Sequence, residues 1–160
     1  MYTEAPSGVS DVDRHFMQLA LCAAQQAESD GEVPIGAVVV CGERIIGSGY
    51  NAPISAHDPT AHAEIVALRV AAAHEANYRL PGATMYVTVE PCLMCVGAML
   101  HARLQRIVFG CPEPKLGALG SVYDARRDYR GNHRMQVTAG VCADEARALM
   151  RQFFQARRGA

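Results

Sequence analysis

Apolar residues recur at helical spacing in one early segment. Phe16, Leu19, Ala20, Ala23 and Ala27 fall on one face, which predicts an amphipathic helix over residues 11–29. Ser10 and Asp13 supply an N-cap and a first-turn acid, and Gly31 a stop. Ile35 to Val40 is an unbroken apolar, β-branched run, the pattern of a strand covered on both faces. Gly42 turns the chain into a partner strand, Arg44 to Tyr50, and Pro53 and Pro59 mark residues 51–59 as loop. The Ala-rich stretch 61–76, with Ile65 and Leu68 at helical spacing, predicts a second helix. Pro81-Gly82 breaks the chain before a strand from Thr84 to Val89, and Pro91 opens a helix running to about Arg103. Arg106 to Phe109 is a further strand, residues 110–134 are mostly loop with room for short helices, Met135 to Thr138 is a weak fifth strand, and Asp144 to Arg157 is a final helix.

Strands alternating with helices imply an α/β layered domain, and the early hairpin makes its sheet mixed. Residues 1–9, with Pro6, Ser7 and Gly8, are expected to be a flexible arm, and residues 10–160 a single domain. A chain of 160 residues can bury roughly 70% of its unfolded surface. It needs neither disulfides nor a structural metal to fold, so a metal it holds is there for chemistry. The net charge of -1 is unevenly spread: residues 1–120 carry -5 and residues 121–160 carry +4. That basic end suits an anionic partner, and equally a solvated arginine-rich helix face. No basic segment followed by an apolar core stands at the N-terminus, and Ile35 to Cys41 is too short to span a bilayer. A cytoplasmic protein is expected, with no membrane partner.

Six cysteines stand at 22, 41, 92, 95, 111 and 142, and only Cys92 and Cys95 are closely spaced. The other four are expected to be buried small hydrophobes. Cys92 and Cys95 at the start of a helix share one side, where exposed N–H groups favour thiolates. His62 opens the preceding helix. One imidazole and two thiolates suit zinc, and three protein ligands leave the open position of a catalytic rather than a structural site. Glu64, two residues past His62, points away from a shared ligand position yet stays in the same turn. It is placed for general acid/base work on water at the metal.

His62-x-Glu64 with Pro91-Cys92-x-x-Cys95 resembles the signature of the zinc cytidine/deoxycytidylate deaminase superfamily. The segments 33–38, 49–51, 57–65, 89–99, 117–121, 132–134 and 153–154 look like the bacterial tRNA-specific adenosine deaminases, so the likeness extends from about Asp13 to Arg158. The resemblance implies a three-layer α/β/α cytidine-deaminase-like fold with a mixed five-stranded sheet, one zinc ion per subunit, and a homodimer. It implies deamination of adenosine to inosine at the wobble position of a tRNA anticodon. DNA is not expected as a partner. By the same resemblance His62, Cys92 and Cys95 hold zinc and Glu64 shuttles protons. Asn51 and the backbone of Ala63 and Cys92 meet the flipped nucleoside. Glu113, Lys115, Asn132, Phe154 and Arg158 meet the anticodon stem-loop. The chain departs from the family pattern at Pro112-Glu113-Pro114-Lys115, where two prolines stiffen the loop, and at Tyr50, where tryptophan is usual. A deaminase of free cytosine, guanine or cytidine would share the zinc core. A non-catalytic RNA-binding module would close the metal with a fourth ligand, and a redox dithiol would leave Glu64 without a task.

Overall fold

The computed structural model describes residues 3–4 and 10–159. Its elements run β1 (Thr3–Glu4), α1 (Asp11–Ser29), β2 (Gly36–Cys41), β3 (Arg44–Tyr50), α2 (Ala63–Glu75), β4 (Ala83–Val89), α3 (Leu93–His101), β5 (Arg106–Cys111), α4 (Ala125–Asp128), β6 (Gln136–Ala139) and α5 (Ala143–Arg158). The sheet order is β1-β6-β5-β4-β2-β3. β2 pairs antiparallel with both β3 and β4, whereas β4, β5, β6 and β1 run parallel. The expected mixed five-stranded sheet is therefore present, extended at one edge by Thr3–Glu4. The rest of the expected N-terminal arm lies outside the described residues.

Strand side chains alternate between two covered faces. Ala37, Val39, Met85, Val87, Ile107 and Phe109 pack under α2 and α3. Val38, Val40, Tyr86 and Val108 pack under α1 with Phe16, Met17 and Ala20. This double burial is why β2 reads as an unbroken apolar run. α2 lies close on β3, because a Cβ on Gly49 would meet the Ala67 amide and the Val66 side chain. That close approach fixes the helix whose first turn carries His62 and Glu64. α1 is pinned at its start, where Asp13 takes two 2.9 Å bonds from Arg106 and one from the Tyr86 hydroxyl. Burial raises the Asp13 carboxyl, but the bonds from Arg106 and Tyr86 outweigh it and hold it below its ordinary value.

Four local expectations need correction. The α1 stripe is rotated: Met17, Leu21 and Ala24 are buried, while Leu19 and Ala23 are half-buried. α3 begins at Leu93 with Cys92 as its N-cap, so Pro91 stands ahead of the helix. α2 starts at Ala63, with His62 as its N-cap. Of the four scattered cysteines only Cys111 is buried. Cys22 faces solvent on α1, and Cys142 sits in a left-handed N-cap position with φ 53°.

Candidate metal centre and its surroundings

Both N-caps that carry ligand atoms lie at the carboxyl end of β4, where the chain passes from Val89 through Glu90 and Pro91 to Cys92. His62 Nδ1 lies 3.6 Å from Cys92 Sγ and 3.5 Å from Cys95 Sγ. A tetrahedral zinc with bonds of about 2.3 Å to sulfur and about 2.05 Å to nitrogen sets an S···N edge of about 3.6 Å. The three donors therefore stand at the spacing zinc needs. Among the described residues the cluster has these three members, without Glu64 or a fourth side chain.

The local chemistry supports the same ion. The Cys92 thiol is pulled down to about 4, chiefly by the hydrogen bond from Cys95 and then by His62. Cys95 moves the other way, because it donates to Cys92 and is buried. Of the two thiolates expected at this helix N-terminus, the arrangement without metal favours the one at Cys92, with Cys95 as its donor. His62 is raised by its bond to Cys92. Glu64 is buried beside Cys95 and His62, and burial raises its carboxyl above the ordinary value.

Asn51 lies at the end of β3 and is 7% exposed. Its Oδ1 accepts the Ala63 N–H at 3.0 Å. His62 makes no side-chain cap bond, so Asn51 serves as the helix cap from twelve residues away. The Ala63 N–H, which the family resemblance aims at the base, is engaged by Asn51 here.

Glu113 and Lys115 stand on the loop after β5, and the Ala118 N–H on the same loop bonds the Pro91 carbonyl at 2.9 Å. The loop therefore borders the metal cluster. Phe153 is buried, Phe154 is exposed, and Arg157 lies over the Phe153 ring while bonding the Gly31 carbonyl at 2.6 Å. That contact ties the end of α5 to Gly31, the chain neighbour of Glu32. Glu32 in turn accepts the Ser55 N–H in the loop leading to His62. Asn132 is elsewhere. It lines an open cavity of 540 Å³ with Arg79, Arg103, Gln105, His133 and Arg134, by the amino ends of β5 and β6. The length of α3 separates it from Cys92, because the segment before β6 joins the opposite end of the sheet.

Sequence reasoning missed Glu90, Glu32 and Thr88, all buried polar residues. Thr88 Oγ1 accepts the Gly36 N–H, and Glu90 accepts from the loop after β5. The available signal was an acid at the end of an otherwise apolar strand, since a carboxylate goes inside only when donors meet it.

The chain matches the cytidine and deoxycytidylate deaminase zinc-binding region over residues 10–111. It is 51% identical to the tRNA-specific adenosine deaminase of Haemophilus influenzae, across 93% of this chain and 87% of that one. A solved structure from work on A-to-I editing by tRNA:A34 deaminases at the wobble position of transfer RNA is 40% identical, with a TM-score of 0.80, covering 84% of this chain and 98% of the other. A guanine deaminase from Nitrosomonas europaea is 22% identical with a TM-score of 0.76, covering 96% and 86% of the two chains, a likeness of fold alone. An N,S,S donor triangle beside a buried glutamate, with identity at this level across nearly the whole chain, means that the chain belongs to the cytidine and deoxycytidylate deaminase family, among its tRNA-specific adenosine deaminases.

Proposed function

We propose that this protein converts adenosine to inosine at the wobble position of a tRNA anticodon, with water consumed and ammonia released. The observation that carries this is the His62–Cys92–Cys95 triangle with Glu64 buried against it. His62, Cys92 and Cys95 would hold the zinc. When bound there, zinc acts as a Lewis acid that makes hydroxide available from water near neutral pH.

Glu64 accepts a proton from the attacking water and passes it to N1 of the adenine ring, which leaves C6 open to addition. It then takes the remaining proton from the hydroxyl added at C6 and hands it to the departing amine, which leaves as ammonia as the C6–N bond breaks and the C6 carbonyl forms. Burial suits it to this traffic, because a carboxyl raised above its ordinary value takes up a proton more readily at neutral pH. The Asn51 side-chain amide nitrogen makes no hydrogen bond among the described residues and orients the base. Glu113 and Lys115 from the loop, and Phe154 and Arg158 from α5, contact the anticodon loop, with Phe154 available to stack a base. Asn132 lies outside this group.

Exposed Leu93 and Met94 on α3, and the apolar groove lined by Ile65, Leu68, Ala72, Tyr78 and Ala98, support a homodimer formed through α2 and α3. No helix among the described residues is long and apolar enough to cross a membrane. All six cysteines are free, which suits the reducing cytoplasm we assign to it.

The test is inosine formation by the purified, zinc-loaded protein. An anticodon stem-loop with adenosine at its first anticodon position is compared with free adenosine, guanine and cytidine. Turnover confined to the stem-loop is expected. Turnover of free compounds with none on the stem-loop refutes the RNA assignment.

A further inference from the structure

Glu90 is two residues before Cys92, and it is 3% exposed. A buried carboxylate is costly unless donors surround it. Here the donors come from a single loop. The Leu119 N–H lies 3.0 Å from Oε2 and the Ser121 N–H 3.2 Å from it. The Ser121 hydroxyl donates to Oε1, and the Glu113 N–H approaches Oε1 at 3.4 Å. Residues 113, 119 and 121 are thus gathered at one carboxylate, with Lys115 on the arc between them. The arc closes tightly at Gly117, where a Cβ would overlap Glu90 Oε2 and the Glu113 carbonyl.

The same short strand exit therefore carries a metal ligand and the anchor of the neighbouring loop. Ala118 adds a bond to the Pro91 carbonyl, so the two residues immediately before Cys92 are each fastened to the loop. An apolar side chain at position 90 could fill space, but it could not collect four donors. Those bonds select one loop conformation among many. Glu90 itself has no free lone-pair direction toward a ligand, since its oxygens are occupied by the loop.

We propose that Glu90 is a positioning residue for RNA: it fixes where Glu113 and Lys115 stand relative to the metal centre, and acts on substrate only through them. This rests on the proposal that the loop contacts the anticodon stem-loop. The role is one of affinity, and chemistry at the adenine ring is left to Glu64.

The test uses the zinc-loaded full chain. Stem-loop affinity is measured in a Glu64→Ala background, where no turnover intervenes. Glu90→Gln replaces one acceptor by a donor that faces N–H groups. It should weaken stem-loop binding about tenfold, the size of one charge-assisted hydrogen bond. With Glu64 intact, KM of the Glu90→Gln protein should rise by a similar factor, with kcat changed less than about threefold, as for lost uniform binding. Zinc content should stay at one per chain, and hydrogen exchange at the Leu119 and Ser121 amides should accelerate. Lys115→Ala separates the two layers. If Lys115→Ala weakens binding and Glu90→Gln does not, the Glu90 proposal is overturned alone. If Lys115→Ala changes nothing, the RNA assignment of the loop falls and takes the Glu90 role with it. A fall in kcat at unchanged affinity would place Glu90 in the chemistry and also overturn it. Should Glu90→Gln lose zinc or unfold, Ser121→Ala and Gly117→Ala decide, since both leave the carboxylate in place and loosen the loop. Wild-type affinity in both overturns the proposal, and weakened affinity with full zinc supports it.

Discussion

Asn51 is asked to do two things at once, and its two amide atoms allow them to be separated. Oδ1 caps α2 through the Ala63 N–H at 3.0 Å, and Ala63 is fully buried, so water cannot take over that bond. Asn51→Ala therefore removes a cap worth about 0.5–2 kcal/mol and strands a buried donor at a cost of about 1–3 kcal/mol. The two figures overlap, and a net loss of about 2–3 kcal/mol is expected. For a chain of this size that lowers Tm by about 5–10 °C. The loss falls on the first turn of α2, beside His62 and Glu64, so zinc affinity should drop about tenfold or more in a competition titration with a chelator. Asn51→Asp keeps an acceptor at the positive end of the helix, where an anion is welcome. It should recover stability to within about 1 kcal/mol, together with zinc affinity. It should still lose kcat/KM on the stem-loop, because the Nδ2 donor is gone. Denaturant unfolding, zinc titration and steady-state kinetics on the three proteins decide the matter. An Asn51→Ala protein as stable as wild type would refute the cap, and a fully active Asn51→Asp protein would refute the contact with the base.

Glu64→Gln should keep one zinc per chain while kcat falls by about 10²–10⁴-fold; loss of the metal would instead make Glu64 a ligand. Asp13→Asn leaves Arg106 without its partner and should cost about 3 kcal/mol at neutral pH. Asp13 titrates below its ordinary value of 3.8, so its contribution is complete above that pH and drains away as pH falls through the lower, folded value. The stability gap between wild type and Asp13→Asn should therefore be constant near neutrality and shrink below about pH 4, and a gap that holds at low pH would contradict the assignment. After zinc removal by a chelator, peptide mapping of alkylated protein should find Cys92 modified ahead of Cys95, because Cys92 is the thiolate and the less buried of the two; the reverse order would contradict that charge distribution.

The metal ligands were legible because their chemistry is local in the chain. A His at one helix start and a Cys-x-x-Cys at another need only the helices to exist, and apolar periodicity predicts both. The same periodicity gave the strands, since the alternation of β2 and β4 between two buried faces leaves a continuous apolar run. The rotated stripe on α1 marks its limit. Alanine and leucine occupy both faces of that helix, so side-chain type alone does not say that Met17 and Ala24 go inside while Leu19 and Ala23 are only partly covered.

What stayed hidden depends on pairs far apart in the chain. Asn51 caps a helix twelve residues on, Glu90 collects donors 23 to 31 residues on, and Glu32 meets Ser55 across 23 residues. Apart from the Ser121 hydroxyl on Glu90, each partner is a backbone N–H, which every residue except proline possesses, so residue type in the sequence does not mark where those bonds go. Asn132 shows the converse. Its residue pattern matches the family, yet position in space is set by which sheet end the preceding segment joins, and β6 enters beside Arg106 rather than beside Cys92. A motif therefore fixes chemistry within one turn of chain. Placement of the loops is decided by buried polar side chains that tie them to the sheet ends, and under the function proposed above the discrimination of RNA from free bases falls to those loops, since a deaminase of free bases would share the zinc ligands.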